Sequence, residues 1–349
     1  GGELVTAYTF VAEHAPTRRD APAWTGLVLD SANCGTLTGI ATVAIFRLAL
    51  SPKAMRTWGW RFVFFLGLPM GLFGLLLRKN IGDSPEFLAA EGKGVKEAEN
   101  PLRVVWDRHL RELVLIAGVA SLWCGGFYAT FVWMSFYYGA LGGLRAIQNG
   151  PAVNAAMLGV LCLLFVPLSY TTRVNDADAL SDENARKAMK RAQVGLAVVA
   201  IPVFALIGLS RTPAAACLGQ FLFALCLASF GSGLPFFLVN AFPLKVRVVA
   251  IGAAYNLSQA IFGGAAPVVM TALLEAHFLL PGLGLLLLAL ISLASLHLYE
   301  ATCLPDRYDQ APLSGRGQSA FSSSGSSSGS GGAGLELTAI EKNEDAGLC

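Results

Sequence analysis

Charge is scarce in this 349-residue sequence: Asp, Glu, Lys and Arg together make up 14% of it, and His occurs four times. A chain so poor in ionisable groups cannot cover a large water-facing surface, which argues against an ordinary soluble globular protein. Neither CxxC nor HExxH spacing is present, so a metal centre, redox chemistry or a bound cofactor is not expected. Cys34, Cys124, Cys162, Cys217 and Cys226 stand singly in apolar runs, where Cys behaves as a small hydrophobe, and Cys303 and Cys349 fall in the tail. The net charge of +2 is not a nucleic-acid footprint, because no loop interleaves basic and aromatic residues as a base-stacking surface would. Nor do a nucleophile, a base and an orienting group converge in any apolar run, so an enzyme is not expected. The first residues, Gly-Gly-Glu, carry no initiator Met and form neither a secretory signal nor a transit peptide; the expectation is a fragment.

Apolar residues are abundant: hydrophobic types make up 54% of the chain, and the mean hydropathy is +0.58. The stretch Gly59 to Phe87 shows how they are arranged. From Phe62 to Leu77 it carries no charge, Trp58 and Trp60 stand at its mouth, and Arg78-Lys79 closes it. With its aromatic entrance it is roughly 20 residues long, the length that crosses a bilayer. Pro69 and the Gly67, Gly71, Gly74 spacing suit helix packing in lipid better than a water-soluble core. Similar runs recur near 26–50, 112–140, 151–171, 193–210, 213–240, 248–274 and 278–299, giving about eight spans. Gly1 to Val11 reads as the second half of a further span.

Lys and Arg fall in alternate loops, which sets orientation. One set contains Arg18 and Arg19, the group from Arg78 to Arg111, the group from Arg173 to Arg191, and Lys245 with Arg247; it is expected to be cytoplasmic. The opposite set is Lys53, Arg56, Arg61, Arg145 and Arg211. Residues 100–113 read as an amphipathic helix on the membrane surface, feeding the next span. The resulting organisation is a set of spans in 1–77, a cytoplasmic connector at 78–111, a six-helix bundle in 112–300 and a disordered Ser/Gly-rich tail from 301 to 349.

Several blocks look familiar in combination. They are GlyGlyGlu at 1–3 with ValAlaGluHisAlaPro at 11–16, TrpGlyTrpArgPhe at 58–62 with LeuGlyLeuPro at 66–69, and AspSerProGluPhe at 83–87. PheProLeuLysValArg at 242–247, GlyAlaAlaTyrAsn at 252–256 and AlaIlePheGlyGlyAlaAlaPro at 260–267 complete the set. Together they resemble the metabolite:proton symporters of the major facilitator superfamily, the group of proline/betaine, alpha-ketoglutarate, shikimate and citrate carriers. The resemblance implies an all-α polytopic membrane protein, a fold of two six-helix bundles that rock about a central site, here N-terminally truncated to about eight full transmembrane helices plus part of one. The chain departs from that pattern at Leu4 to Ala7, where relatives carry an aromatic and two glycines, and at Leu180, Ser181, Asp182, Arg186 and Arg191, a stretched form of a loop signature.

Ionisable groups inside spans are costly and default to functional candidates. Glu3 and Asp30 are candidates for proton coupling, since a carboxyl removed from water holds its proton more readily; the alternative is a structural hydrogen bond between helices. Arg61 could grip a substrate carboxylate, or serve as a snorkelling anchor. Tyr255, Asn256 and Gln259 offer polar contacts along one helix, with Tyr255 and Gln259 on a shared face, for a cavity wall or for packing. Trp123, Trp133 and Tyr137 could stack on a quaternary ammonium group, or face lipid. Glu13 with Arg18 and Arg19 is a candidate charge cluster of a cytoplasmic gate or else an ordinary solvated loop, and Asp182 with Arg186 is a further gate candidate.

The function that the resemblance implies is secondary active transport of a small organic solute, an organic acid or a zwitterionic osmolyte such as proline or betaine, by proton symport and alternating access. The expected partners are the lipid bilayer, the solute and protons, in the plasma membrane or, alternatively, an organelle membrane. A transporter-like sensor or scaffold that does not transport is the competing reading.

Overall fold

The computed structural model of the chain describes residues 2–79, 100–140, 147, 149–174, 182–244 and 246–304. The connector residues 80–99, Arg145, Leu180, Ser181, Lys245 and the tail from Pro305 lie outside the described residues. Within them the secondary structure is helical, with no strand. The elements are α1 (Gly2–His14), α2 (Ala21–Ala49), α3 (Pro52–Leu76), α4 (Pro101–Arg108), α5 (Leu110–Gly139), α6 (Gly150–Thr171), α7 (Glu183–Ser210), α8 (Pro213–Asn240), α9 (Arg247–Ala276) and α10 (Leu280–Thr302). Eight of these helices are long and apolar enough to cross a membrane, all except α1 and α4. They correspond one for one to the eight apolar runs of the sequence. The protein is an integral, multi-pass membrane protein.

Three helices start with the same local grammar. Ser51, Asn100 and Thr212 each precede a proline, and their side-chain oxygens accept from the backbone N–H of Ala54, Leu102 and Ala215 at 3.2 Å. The proline donates nothing at the first helical position, where an N–H would be unpaired, and the polar cap satisfies one donor beyond it. The sequence reading put the last helix at 278–299 and Cys303 in the tail; the helix instead runs to Thr302, and Cys303 is buried at its end.

Lipid is as apolar as leucine, so close packing and hydrogen bonds hold such helices together rather than the hydrophobic effect. At Gly282 of α10 an added Cβ would lie 2.9 Å from Ile201 Cα and 3.0 Å from Ala200 O, so glycine there lets α7 and α10 touch backbone to backbone. Phe165, Phe204, Phe223, Phe230 and Phe237 fill the interior of the α5–α10 group. Polar stitches complete it. The wide turn Tyr128–Val132 in α5 bonds i to i+5, which leaves carbonyls outside the regular ladder. Gln220 Nε2 of α8 donates to Thr130 O at 2.8 Å and to Asn154 Oδ1 at 2.5 Å, while Asn154 Nδ2 of α6 donates to Phe131 O at 2.7 Å. Between α7, α10 and α5, Gln193 Nε2 donates to Ser292 Oγ at 2.8 Å, and that hydroxyl donates to Val119 O at 2.6 Å.

Helices α1 and α2 pack on one side of this group, α2 against α6 and α8, α1 against α8 and α9. Where α2 crosses, Gly26 carries no side chain, and a Cβ there would sit 2.6 Å from Ser169 Oγ and 2.8 Å from Ser232 O. Helix α3 leans on α2 through its first turns, and its aromatic and aliphatic side chains, Phe62, Phe64, Leu68 and Phe73 among them, are exposed.

Candidate functional site at the helix interface

The contact between the α1–α2 pair and the α5–α10 group holds several of the buried charged and polar side chains of the mainly apolar chain, Glu13, Asp30 and Asn33 among them. It has two levels.

The first level is the end where α1 stops, α2 starts, α6 stops and α9 starts. Arg247 Nη1 of α9 lies 3.1 Å from Glu13 Oε1 at the end of α1, with only 16% and 8% of the two side chains exposed. Arg173, just after α6, places Nε 2.8 Å from Asp20 Oδ1, just before α2, and Val174 N donates to Arg19 O at 3.3 Å. Both ion pairs therefore cross the interface. Asp20 is further held by the Thr17 hydroxyl, which donates to its Oδ2 at 2.8 Å. Beside them, inside the α5–α10 group, Arg186 bonds Asp182 and reaches Glu300 Oε1 at 3.1 Å, and Lys190 Nζ joins Glu300 Oε2 at 2.5 Å. Asp182 and Arg186 are 5% and 6% exposed, so this network ties the start of α7 to the end of α10 with its charges mutually compensated.

Of the sequence candidates at this end, Glu13 faces Arg247 across the interface, while Arg18 and Arg19 are exposed on the turn between α1 and α2. Arg173, Asp20, Lys190, Glu300 and Arg247 belong to the same end and were not singled out as gate residues. Each partner is far away in the chain, and the sequence offers no spacing that links Glu13 to Arg247 or Lys190 to Glu300.

The second level lies deeper. Asp30 is ten residues along α2 from Asp20, which at about 1.5 Å per residue is roughly 15 Å further in, close to half a bilayer core. Its residue is 7% exposed and its Oδ1 is buried without a hydrogen-bond partner. Asn33 lies beside it with Nδ2 equally unpartnered. Helix α6 runs antiparallel to α2, so the register that pairs Asp20 with Arg173 also brings Cys162 to Asp30. On the α1 side, the Tyr8 hydroxyl is buried without a partner and lies near Tyr255 and Cys124; Trp123 touches Tyr255 from α5. Tyr8, Asp30, Trp123 and Tyr255 thus line the buried interface, and Tyr8 is the member that sequence reading missed.

The remaining candidates lie elsewhere. Tyr137 is buried within the α5–α10 group, its ring 5.2 Å from that of Trp133 and 5.1 Å from that of Phe204. Asn256 is exposed and donates back to Gly252 O at 2.8 Å, whereas Gln259 opens the wide turn Gln259–Gly263 of α9. Arg61 is exposed on α3, stacked over Trp60 at 4.5 Å and bonded to Thr57 O. Glu3 is exposed in the first turn of α1.

Residues 1–157 match the family model of sugar (and other) transporters. The chain is 28% identical over 305 residues to a glycine betaine/proline/ectoine/pipecolic acid transporter of Dickeya dadantii, covering 84% of this chain and 58% of the relative. It is 27% identical over 275 residues to the alpha-ketoglutarate permease of Escherichia coli, with 78% and 60% covered. A putative proline/betaine transporter of Staphylococcus haemolyticus is 25% identical over 283 residues, with 79% and 56% covered. The chain thus spans somewhat more than half the length of these relatives. Among solved structures, the proton:xylose symporter XylE, bound to 6-bromo-6-deoxy-D-glucose, superposes with a TM-score of 0.64 at 15% identity, over 86% of this chain and 67% of that one. That likeness establishes the fold. The chain thus has the fold of the major facilitator superfamily and is similar in sequence to metabolite transporters.

Proposed function

We propose that this chain forms the moving interface of a secondary transporter that carries a small organic solute, an organic acid or a zwitterionic osmolyte of the proline/betaine type, with protons. The observation that carries the reading is the pair of ion bridges, Glu13–Arg247 and Asp20–Arg173, closing one end of the contact between α1–α2 and the α5–α10 group. Alternating access needs two bodies that part first at one end and then at the other. Ion pairs between separate helices can close one end and release it with no covalent change, their attraction offset by rehydration of the charges. Residues 1–77 supply part of the first body and 112–300 the second, with 78–111 as a cytoplasmic connector, and the bridged end faces the cytoplasm in a plasma membrane.

Asp30 is the proton-coupling residue of this reading. A carboxyl buried deep in a span, with one oxygen unpartnered, can exchange a proton as the interface opens and wets. Trp123 and Tyr255 touch one another beside Tyr8, and aromatic rings have the chemistry that would hold a quaternary or secondary ammonium. Uptake by the complete gene product in proteoliposomes is the test. Radiolabelled proline, glycine betaine or alpha-ketoglutarate should accumulate when the outside is made acidic, and an added protonophore should abolish it. Accumulation that ignores the proton gradient would remove the symport, and no accumulation of any small organic acid or betaine would remove the solute class.

A further inference from the structure

We propose that Asp30, Cys34 and Cys162 form a binding site for a thiophilic divalent cation of the Zn2+ or Cd2+ class, one that clamps α2 to α6. Their ligand atoms, a carboxylate oxygen and two Sγ, all lie within 4.8 Å of one another. Asp30 and Cys34 stand four residues apart on α2 and so share a face, while Cys162 comes from α6 across the interface. Two ligands from one helix turn and a third from its neighbour is a set that a divalent cation can bridge. About 2.3 Å to sulfur and about 2.0 Å to oxygen put the ligands of a tetrahedral cation roughly 3.5–3.8 Å apart, so rotamer adjustment of about an ångström suffices. Two thiolates and one carboxylate favour zinc-like over hard cations, and the fourth position stays open to water.

A second observation points to a ligand independently. Asp30 is more than nine-tenths buried, and its Oδ1 has no hydrogen-bond partner. An acceptor in that state carries a desolvation cost that a bound cation would remove. Cys34 is the exposed member of the three. The remaining cysteines, Cys124, Cys217, Cys226 and Cys303, form no such group with acidic or His side chains among the described residues. Because the ligands come from helices that belong to the two moving bodies, occupation would hold those bodies together at mid-depth. The site itself is independent of which solute is carried and of whether protons drive it.

The test is direct binding. The complete gene product, purified in nanodiscs and stripped with chelator, is incubated with Zn2+ alone, desalted and analysed by elemental mass spectrometry; Cd2+ is used in parallel for its thiolate charge-transfer absorption in the ultraviolet. A single retained Zn2+ per chain and a Cd2+–thiolate band are expected. Loss of the hydrogen-bonding support around a metal costs about 10–100-fold in affinity, so loss of a ligand, in Cys34→Ser or Cys162→Ser, should cost at least about 100-fold. Cys226→Ser should bind as the parent does. Binding should also release protons, because both thiols ionise. Unaltered Zn2+ retention in the Cys34→Ser/Cys162→Ser double variant, or no retention by a parent that elutes as a monodisperse folded protein, would overturn the site. Asp30→Asn, which keeps shape and both thiols, should weaken binding while leaving the charge-transfer band; an affinity equal to the parent's would remove Asp30 from the ligand set.

Discussion

Arg247 and Glu13, separated by 234 residues of chain, meet at 3.1 Å with little of either side chain exposed, and in doing so fasten α9 to α1. A charge pair this far from water is costly to break from one side, because the partner left behind has lost its hydration without replacement.

Glu13→Gln and Arg247→Gln should each weaken closure of that end by up to about 3 kcal/mol, shifting the population towards the state open there. The exchange Glu13→Arg with Arg247→Glu should recover much of the loss. A single-cysteine reporter at Ser232, labelled in inverted membrane vesicles, checks both: faster modification in the single variants and near-parental rates in the exchange are expected, and equal rates in all would deny the pair a gating role.

Asp30→Asn should insert and fold, since the amide has nearly the shape of the carboxyl, yet cannot release a proton. Uptake driven by an imposed pH gradient should fall by at least about tenfold while solute exchange at equal pH persists. A parental dependence on external pH would reduce Asp30 to structure.

Gly26→Val should separate the two bodies. Even the first carbon of the new side chain would sit 2.8 Å from Ser232 O, a backbone atom that cannot swing aside. Insertion should survive and uptake should collapse, with cysteines placed at Thr25 and Ser169 cross-linking less readily than in the parent. Cross-linking at the parental rate would show that α2 accommodates the bulk.

Gln220→Leu should destabilise the α5–α10 group. It strips the Thr130 carbonyl and Asn154 Oδ1 of a donor inside the bundle. Unpaired buried acceptors cost about 1–3 kcal/mol, against about 0.6 kcal/mol for an average interhelical hydrogen bond in a membrane protein. A loss of roughly 1–2 kcal/mol in detergent unfolding would favour the first figure, whereas no loss would show that the wide turn of α5 repairs itself.

Orientation is checked by labelling in intact cells, in a background with the native cysteines replaced. A probe at Lys53 should react with an impermeant thiol reagent and one at Lys187 should not, since the two lie in oppositely assigned loops. Reaction at both positions would overturn the assignment.

The helices themselves were legible in the chain. Runs of about 20 apolar residues, bounded by Lys and Arg or by Ser-Pro and Thr-Pro, leave the backbone little choice in lipid but to bond within itself, and each such run became a helix. Carboxyl groups inside a span, such as Asp30, are conspicuous in the sequence because their burial costs so much. Which groups meet was not legible. Glu13 pairs with Arg247, Asp20 with Arg173, Lys190 with Glu300 and Asp30 with Cys162, all across distances in sequence that no periodicity reports. Tyr8 likewise reads as one more aromatic in an apolar stretch until α9 and α5 enclose it. The period of a helix fixes which residues share its face, but the register between two helices is set by side chains packing from both at once. Span length and composition therefore decided the helices, and only the antiparallel fit of α2 on α6 and of α1 on α9 decided the site.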